Sequence, residues 1–109
     1  MSSSYITDQT PAGGAEKLTV STTALPITAT LTTIPQAGGF RKRAVKVFLT
    51  VETNSIRVYW HGSDPTSTDG HLLTSGSSLT IEGEDNVQRL RMIRASADAT
   101  VQITVYYNI

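Results

Sequence analysis

The chain has 109 residues, enough for one domain with a hydrophobic core and too few for a second domain. Nine Lys and Arg balance nine Asp and Glu, so no net charge draws the protein to nucleic acid or an anionic membrane, and we expect neither as a direct partner. Cysteine is absent, which excludes disulfides and thiolate metal sites, and no stretch reaches membrane-spanning length.

Residues 1–16 are rich in Ser, Thr, Gly and Pro, a composition that buries too little surface to offset its own ordering entropy. We expect a flexible N-terminal arm here. The arm is either a frayed terminus or a segment that orders on a partner, with Tyr5 and Ile6 as its sizeable apolar groups. Residues 17–109 then form a single β-sandwich domain.

Apolar and polar residues begin to alternate at Leu18, first over residues 18–22 and again over residues 27–31. Pro26 lies between the two runs and has no N–H to donate to a ladder. The pattern therefore predicts two strands joined at Pro26, at the edge of a sheet.

The clearest strand pattern runs from Val45 to Val51, where every second residue is apolar and only Phe48 departs from the alternation. This regularity predicts a central strand. The pair Asn54-Ser55 is a candidate tight turn, and a second alternating run follows it. Residues 44–61 therefore predict a β-hairpin.

The rest of the chain contains a polar hinge at residues 62–71, short apolar runs near residues 72–73 and 79–81, and a regular closing strand over residues 101–107. Residues 87–95 have mixed spacing, and we favour a strand with a bulge over a short helix. Seven to eight short strands without a long helical pattern are typical of an all-β fold, an antiparallel β-sandwich or jelly-roll-like barrel.

The hinge holds the one cluster of residue types that could bind a divalent ion, namely His61, Asp64, Asp69 and His71. Their spacing matches no standard ligand pattern, and Asp-Pro and Asp-Gly are ordinary turn formers, so we favour turn chemistry. We expect His61 and His71 to contact loop carbonyls or to lie at a subunit contact. The acidic residues around Gly83 lack the alternating oxygen ligands of a calcium loop. With no recognisable nucleophile and base either, we expect no enzymatic activity, no cofactor and no metal.

Two basic features favour a protein partner over phosphates, because the chain has no net positive charge and these runs carry no interleaved aromatic residues. They are the run 41–43 and the alternating arginines of residues 89–94. Trp60 shares a face with Ile56 and Val58 and is expected in the core, whereas the opposite face of that strand is a candidate contact patch. The candidate interface residues are Tyr5, Ile6, Arg41, Lys42, Arg43, Tyr59, His61, Arg89 and Arg91.

A series of turn and strand residues extends over about 45–107. It consists of Ile56-Arg57-Val58-Tyr59, Gly62-Ser63-Asp64-Pro65-Thr66, Gly70-His71-Leu72-Leu73, Ser75-Gly76, Leu79-Thr80-Ile81-Glu82-Gly83, Met92-Ile93-Arg94-Ala95 and the β-rich ending Ala99 to Val105. This series resembles small virion proteins of tailed bacteriophages, the head decoration or cement-like family.

The resemblance implies a structural virion component that assembles in the cytoplasm of a host bacterium. It suggests a capsid decoration protein that stabilises the head shell, and its partners would be the major capsid protein or another virion protein. Such proteins commonly form trimers, so we expect a homo-oligomer, and a trimer in particular. A neck, tail or head-fibre component remains an alternative. A carbohydrate-binding β-sandwich would instead use an aromatic platform, with Tyr59, Trp60 and Tyr106 as candidates.

Overall fold

The computed structural model of the chain describes residues 12–28, 33–35 and 41–107, and within them the chain forms short strands and one short helix. The elements, in chain order, are β1 Ala12–Val20, β2 Thr33–Pro35, β3 Arg41–Thr53, β4 Ile56–Tyr59, β5 His71–Leu73, β6 Ser78–Glu82, α1 Glu84–Arg89, β7 Arg91–Arg94 and β8 Ala99–Tyr107.

The strands make two antiparallel sheets. In the larger sheet β8 lies between β1 and β3, and β3 also pairs with β2 and with β6, which gives five strands. In the smaller sheet β4 lies between β5 and β7. The predicted all-β antiparallel fold is confirmed, and the number of strands agrees with the prediction. Residues 1–11 of the predicted N-terminal arm lie outside the described residues.

One hydrophobic core, formed by inward-facing side chains of both sheets, lies between them. Strands β3 and β8 supply most of it, because every second residue of each is apolar and the register places Val47 opposite Val105 and Leu49 opposite Ile103. The smaller sheet adds residues such as Val58. Each fully buried aliphatic side chain contributes about 1.5–3 kcal/mol, so the alternation of β3 and β8 is the main source of stability. The predicted central strand is confirmed.

The predicted β-hairpin over residues 44–61 is wrong, because β3 and β4 belong to different sheets. Asn54 turns the chain between them with a positive φ of 60° and donates from its side-chain amide to the Asp98 carbonyl, 2.7 Å away. Val51 is buried from the larger sheet and Ile56 from the smaller one. Because the chain crosses between the sheets here, Val51 and Ile56 enter the core from opposite sides.

The region predicted as two strands joined at Pro26 contains one strand, β1, which begins at Ala12 within the segment expected to be an arm. β1 lies at an edge of the larger sheet, as expected for this region. Residues 21–28 follow it without forming a regular strand. Leu25 exchanges two backbone hydrogen bonds with Met92 of β7, each 2.9 Å long. Residues 29–31 of the second predicted strand lie outside the described part of the chain.

The predicted bulged strand over residues 87–95 is a helix followed by a strand, α1 and β7. Gly83 precedes α1 with a positive φ of 102°. The first turn carries two acidic residues and the last turn carries Arg89, an arrangement that complements the helix dipole. Val87 and Leu90 are three residues apart and both are buried. This helical spacing was the correct signal, and the alternation after Leu90 belongs to β7.

None of the described helical residues forms a segment with the length and apolar character needed to cross a membrane.

Candidate interaction surface

Four aromatic and imidazole side chains meet at one end of the smaller sheet, and we call Tyr59, Trp60, His61 and His71 the ring cluster. The Tyr59 ring meets His61 and His71 edge to face, with centroids 4.5 and 5.9 Å apart. Trp60 stacks on His71 with centroids 4.9 Å apart. The register pairs Val58 with His71, so the antiparallel pairing of β4 and β5 brings His71 beside residues at the end of β4.

The hinge, residues 62–71, is held on β4 by one arginine. The Arg57 guanidinium donates to the Ser67 carbonyl at 3.0 Å and to the Gly70 carbonyl at 2.9 Å. The hinge also closes on itself, since Thr66 and Asp69 exchange backbone hydrogen bonds of 2.9 and 3.2 Å. The hinge consists mostly of polar turn-forming residues, and these bonds fix its path. They also fix His71 at its end.

Gly70 shows how closely the hinge approaches β4. A Cβ at this position would lie 3.1 Å from the Pro65 Cβ, 3.2 Å from the Arg57 Cβ and 3.2 Å from the Val58 carbonyl oxygen. Gly70 also has a φ of +133°, which side chains rarely adopt. Pro65 is buried although the hinge residues around it are exposed. The hinge therefore packs against the sheet as a fixed structural unit.

Arg91 borders the ring cluster, because the register places it opposite Tyr59. Its guanidinium donates to the carbonyls of Gln88 and Leu90 at 3.0 and 2.9 Å, and its Nε lies 4.0 Å from a carboxylate oxygen of Asp64. The Arg91 side chain remains one-third exposed. The Arg91 guanidinium is therefore held in a fixed orientation beside the ring cluster.

The structure brings together three of the residues predicted as an interface, Tyr59, His61 and Arg91. Arg43 lies apart from them on β3, where its guanidinium pairs with Glu84 at 2.7 Å. Arg89 is exposed at the last residue of α1.

The remaining interface predictions are only partly described. The backbone of Arg41 and Lys42 forms the start of β3, but the structure does not describe their side chains. Tyr5 and Ile6 lie outside the described residues.

The roles of three residues that form or support this surface were not predicted from the sequence. Trp60 was expected in the core, and it does pack against the core from a partly buried position, but its ring also stacks on His71. His71 was considered as a metal ligand, a partner of loop carbonyls or a group at a subunit contact, but its contacts with the two rings were not predicted. Arg57 shares the outward face of β4 with Tyr59, and an arginine in that position before a Gly- and Ser-rich loop was the available signal. Such a side chain can reach the unpaired carbonyls of the loop.

The hinge carboxylates do not assemble with the two histidines. Within residues 12–28, 33–35 and 41–107, no three His, Asp or Glu side chains lie close enough to hold a metal ion. Asp64 faces Arg91 instead, and the Asp69 backbone closes a turn. Of the acidic residues near Gly83, Glu84 pairs with Arg43 and also starts α1 together with Asp85.

A shallow cavity of about 380 Å³ lies at the other end of the smaller sheet and is lined mainly by hydroxyl groups and Arg94. The Arg94 guanidinium is paired with the Asp98 carboxylate at 2.6 Å, and the same carboxylate oxygen accepts a hydrogen bond from the Ser21 hydroxyl at 2.9 Å. The Ser21 hydrogen bond and the Arg94 contact lower the pKa of Asp98 below its usual 3.8. Because the Arg94 charge is already neutralised, the cavity offers little attraction to an anion.

The rings suggested for sugar binding are already engaged by other side chains. Tyr59 and Trp60 belong to the ring cluster, and the Lys46 ammonium lies 4.5 Å from the centroid of the Tyr106 ring. A sugar platform needs an open aromatic face on which a pyranose ring can stack. The arrangement suits a contact with protein side chains better than a stacking platform.

Comparison of the chain with protein-family models, with curated proteins and with solved structures gives no match.

Proposed function

We propose that this protein is a non-enzymatic structural component of a tailed-phage virion, and specifically a capsid decoration protein that binds the head shell and stabilises it. The supporting observation concerns the residues that carry the resemblance to that family. Several of them have roles that other residue types would not fill. Pro65 is the buried residue of the hinge, and Gly70, Gly76 and Gly83 all have positive φ angles. The shared series therefore coincides with the turns that define this scaffold.

The ring cluster and Arg91 provide the surface that contacts the capsid shell. Tyr, Trp and Arg dominate the binding energy of protein interfaces, and these side chains are grouped here with a histidine pair. The Arg57 hydrogen bonds hold the hinge in place before any partner arrives, so binding orders few additional groups. A modest contact of this kind becomes strong when several linked copies engage one rigid shell.

A neck, tail or head-fibre position would use the same scaffold and the same surface, and copy number separates these positions. Quantitative mass spectrometry of purified particles would find hundreds of copies for a head-shell protein and about six or twelve for a neck or tail ring, following the symmetry of each assembly. Absence of the chain from the particles would refute the proposal. The carbohydrate alternative predicts that a sugar ring stacks on Tyr59, Trp60 or Tyr106, and a glycan array without hits would exclude it.

Binding to heads that lack the protein tests the surface itself. The double variant with Tyr59→Ala and His61→Ala should bind at least about tenfold more weakly in co-sedimentation, as expected for loss of interface side chains with large contributions. Ser96→Ala, an exposed position at the far end of the smaller sheet, is the control and should bind as the wild type does. Circular dichroism checks that both variants fold. Equal affinity of the folded double variant would show that the ring cluster is not the contact.

A further inference from the structure

Phe48 lies on the solvent-facing side of the larger sheet, at the centre of that sheet. Its side chain points away from the core and remains 39% exposed, although β3 is an internal strand. The register places Thr80 of β6 on one side of it and Thr104 of β8 on the other, with Ala15 of β1 beyond Thr104. A large aromatic side chain is thus surrounded by small ones.

We call the outward-facing side chains of β6, β3, β8 and β1 the outer face. Six of the fourteen are short hydroxyl residues, and the charged ones comprise two lysines and two glutamates. Lys17 and Glu52 form an ion pair at 3.4 Å, and the register places Lys46 opposite Glu82. The described members are Ala15, Lys17, Thr19, Lys46, Phe48, Thr50, Glu52, Ser78, Thr80, Glu82, Thr100, Gln102, Thr104 and Tyr106.

This composition favours a second copy of the chain over other partners. A surface that meets its own copy must not repel itself, and equal numbers of Lys and Glu satisfy that condition. The two carboxylates disfavour nucleic acid and an anionic membrane. Short Thr and Ser side chains leave room for a facing surface to approach to the roughly 10 Å at which sheets pack.

The outer face is also large enough to form a stable interface between two copies. Four strands spaced about 4.8 Å apart and up to nine residues long cover a flat footprint on the order of 500 Å². A stable interface buries about 800 Å² of accessible surface on each partner, and the accessible surface of a face with projecting side chains exceeds its flat footprint. Phe48 lies near the centre of this area, where residues with large contributions to binding concentrate.

We propose that the outer face is the interface between copies of this chain, with Phe48 packing against Phe48 of a neighbouring copy near the symmetry axis. The inference rests on the proposed function and names the surface used for the self-association expected of a decoration protein. A face that packs on the same face of a second copy makes a two-fold pair, so the inference predicts a dimer and not the trimer that the resemblance implied. It leaves the ring cluster, on the other sheet, available for the shell.

Purified protein without phage particles provides the test. Size-exclusion chromatography with light scattering should show an oligomer for the wild type. Phe48→Asp should weaken self-association by at least about thirtyfold, as for loss of a central interface residue. The matched control is Leu72→Asp, because Leu72 is the other large exposed apolar side chain among the described residues and lies on β5 of the smaller sheet, at 49% exposure. That variant should remain oligomeric.

Cross-linking gives an independent measurement, since the chain has no cysteine. Phe48→Cys should form a covalent dimer under mild oxidation or with a short bismaleimide, and Leu72→Cys should not. If Phe48→Asp fails to fold, Thr80→Lys places a charge beside Phe48 at an exposed position and should cause the same dissociation.

Three results would overturn the inference. They are a monomeric wild type at high concentration, an unchanged oligomer in folded Phe48→Asp or Thr80→Lys, and dissociation caused by Leu72→Asp instead. All of these measurements use the isolated protein, so a negative result would refute the proposed self-association without testing whether the protein binds the head. Failure of the oligomeric wild type to bind heads would instead count against the proposed function.

Discussion

Replacing Arg57 with alanine removes both hydrogen bonds that hold the hinge on β4. The guanidinium donates to the Ser67 carbonyl at 3.0 Å and to the Gly70 carbonyl at 2.9 Å, and the second bond is partly buried. We expect the hinge to detach from the sheet in this variant while the core between the sheets stays intact, because the Arg57 side chain points away from that core.

Hydrogen bonds to charged groups contribute about 1.5–3 kcal/mol each, and the exposed Ser67 bond lies at or below the lower end of that range. The freed carbonyls can bond to water once the hinge opens, which reduces the loss further. The free energy of unfolding should therefore fall by about 2 kcal/mol, out of a total of about 5–15 kcal/mol for an ordinary domain. Arg57→Lys should lose roughly half as much, because an ammonium is a compact charge and lacks the fork that reaches both oxygens.

Two measurements check this prediction. Equilibrium urea unfolding can be followed by the fluorescence of Trp60, the single tryptophan, whose ring stacks on His71 at the end of the hinge. Hydrogen exchange reports the hinge itself through the amides of Thr66 and Asp69, which should lose protection while those of β3 keep it. Arg89→Ala, which alters an exposed arginine, is the control. Unchanged exchange at Thr66 and Asp69 together with unchanged stability would show that Arg57 does not hold the hinge.

Three further changes test individual backbone and charge features by the same unfolding measurements. Gly70→Ala should destabilise by about 2 kcal/mol or more, because strain from its positive φ adds to a steric clash, whereas Gly76→Ala meets nothing within 4 Å and should lose only the roughly 1 kcal/mol due to strain. Equal losses at the two glycines would refute the close approach of the hinge. Asn54→Ala should lose more than Asn54→Gly, since glycine tolerates the φ of 60°; the reverse order would contradict this reasoning. The Ser21 hydrogen bond helps to lower the pKa of Asp98, so this group stabilises the fold above pH 3.8 and loses that effect as the pH falls through its folded-state pKa. The melting temperatures of wild type and Asp98→Asn should therefore differ at neutral pH and converge below pH 3.8, and a constant difference would contradict the assignment.

The period of two in the sequence was sufficient to predict the strands that dominate the core. In β3 and β8 the alternation is long and regular, and one register buries the whole apolar face of each. Shifting either strand by one residue would expose that face, so the local pattern and the tertiary structure demand the same arrangement. β1 lies at an edge of the larger sheet as predicted, but Pro26 is not the cause, because it lies beyond the end of β1 in a segment that forms no regular strand.

The partners of the strands were harder to predict, because alternation does not say which sheet a strand joins. The sequence pattern of residues 44–53 and 56–61 is compatible with a hairpin and also with two strands in different sheets. Packing of both sheets around one shared core favours the second arrangement. The end of α1 was hidden for a similar reason. Leu90 completes the helical spacing and also begins the alternation of β7, so a single residue fits both patterns.

The hinge shows how one long-range side chain can reverse an expectation based on composition. Gly, Ser, Asp and Thr favour turns, and a segment made of them is expected to be loose unless its backbone groups find partners. Arg57 provides two of those partners from a neighbouring strand, and Gly70 has no side chain to prevent the approach. Neither role is visible in the hinge residues alone. A fixed hinge places His71 against Trp60 and Tyr59, so the surface that we propose for shell binding depends on Arg57, a residue outside the ring cluster itself.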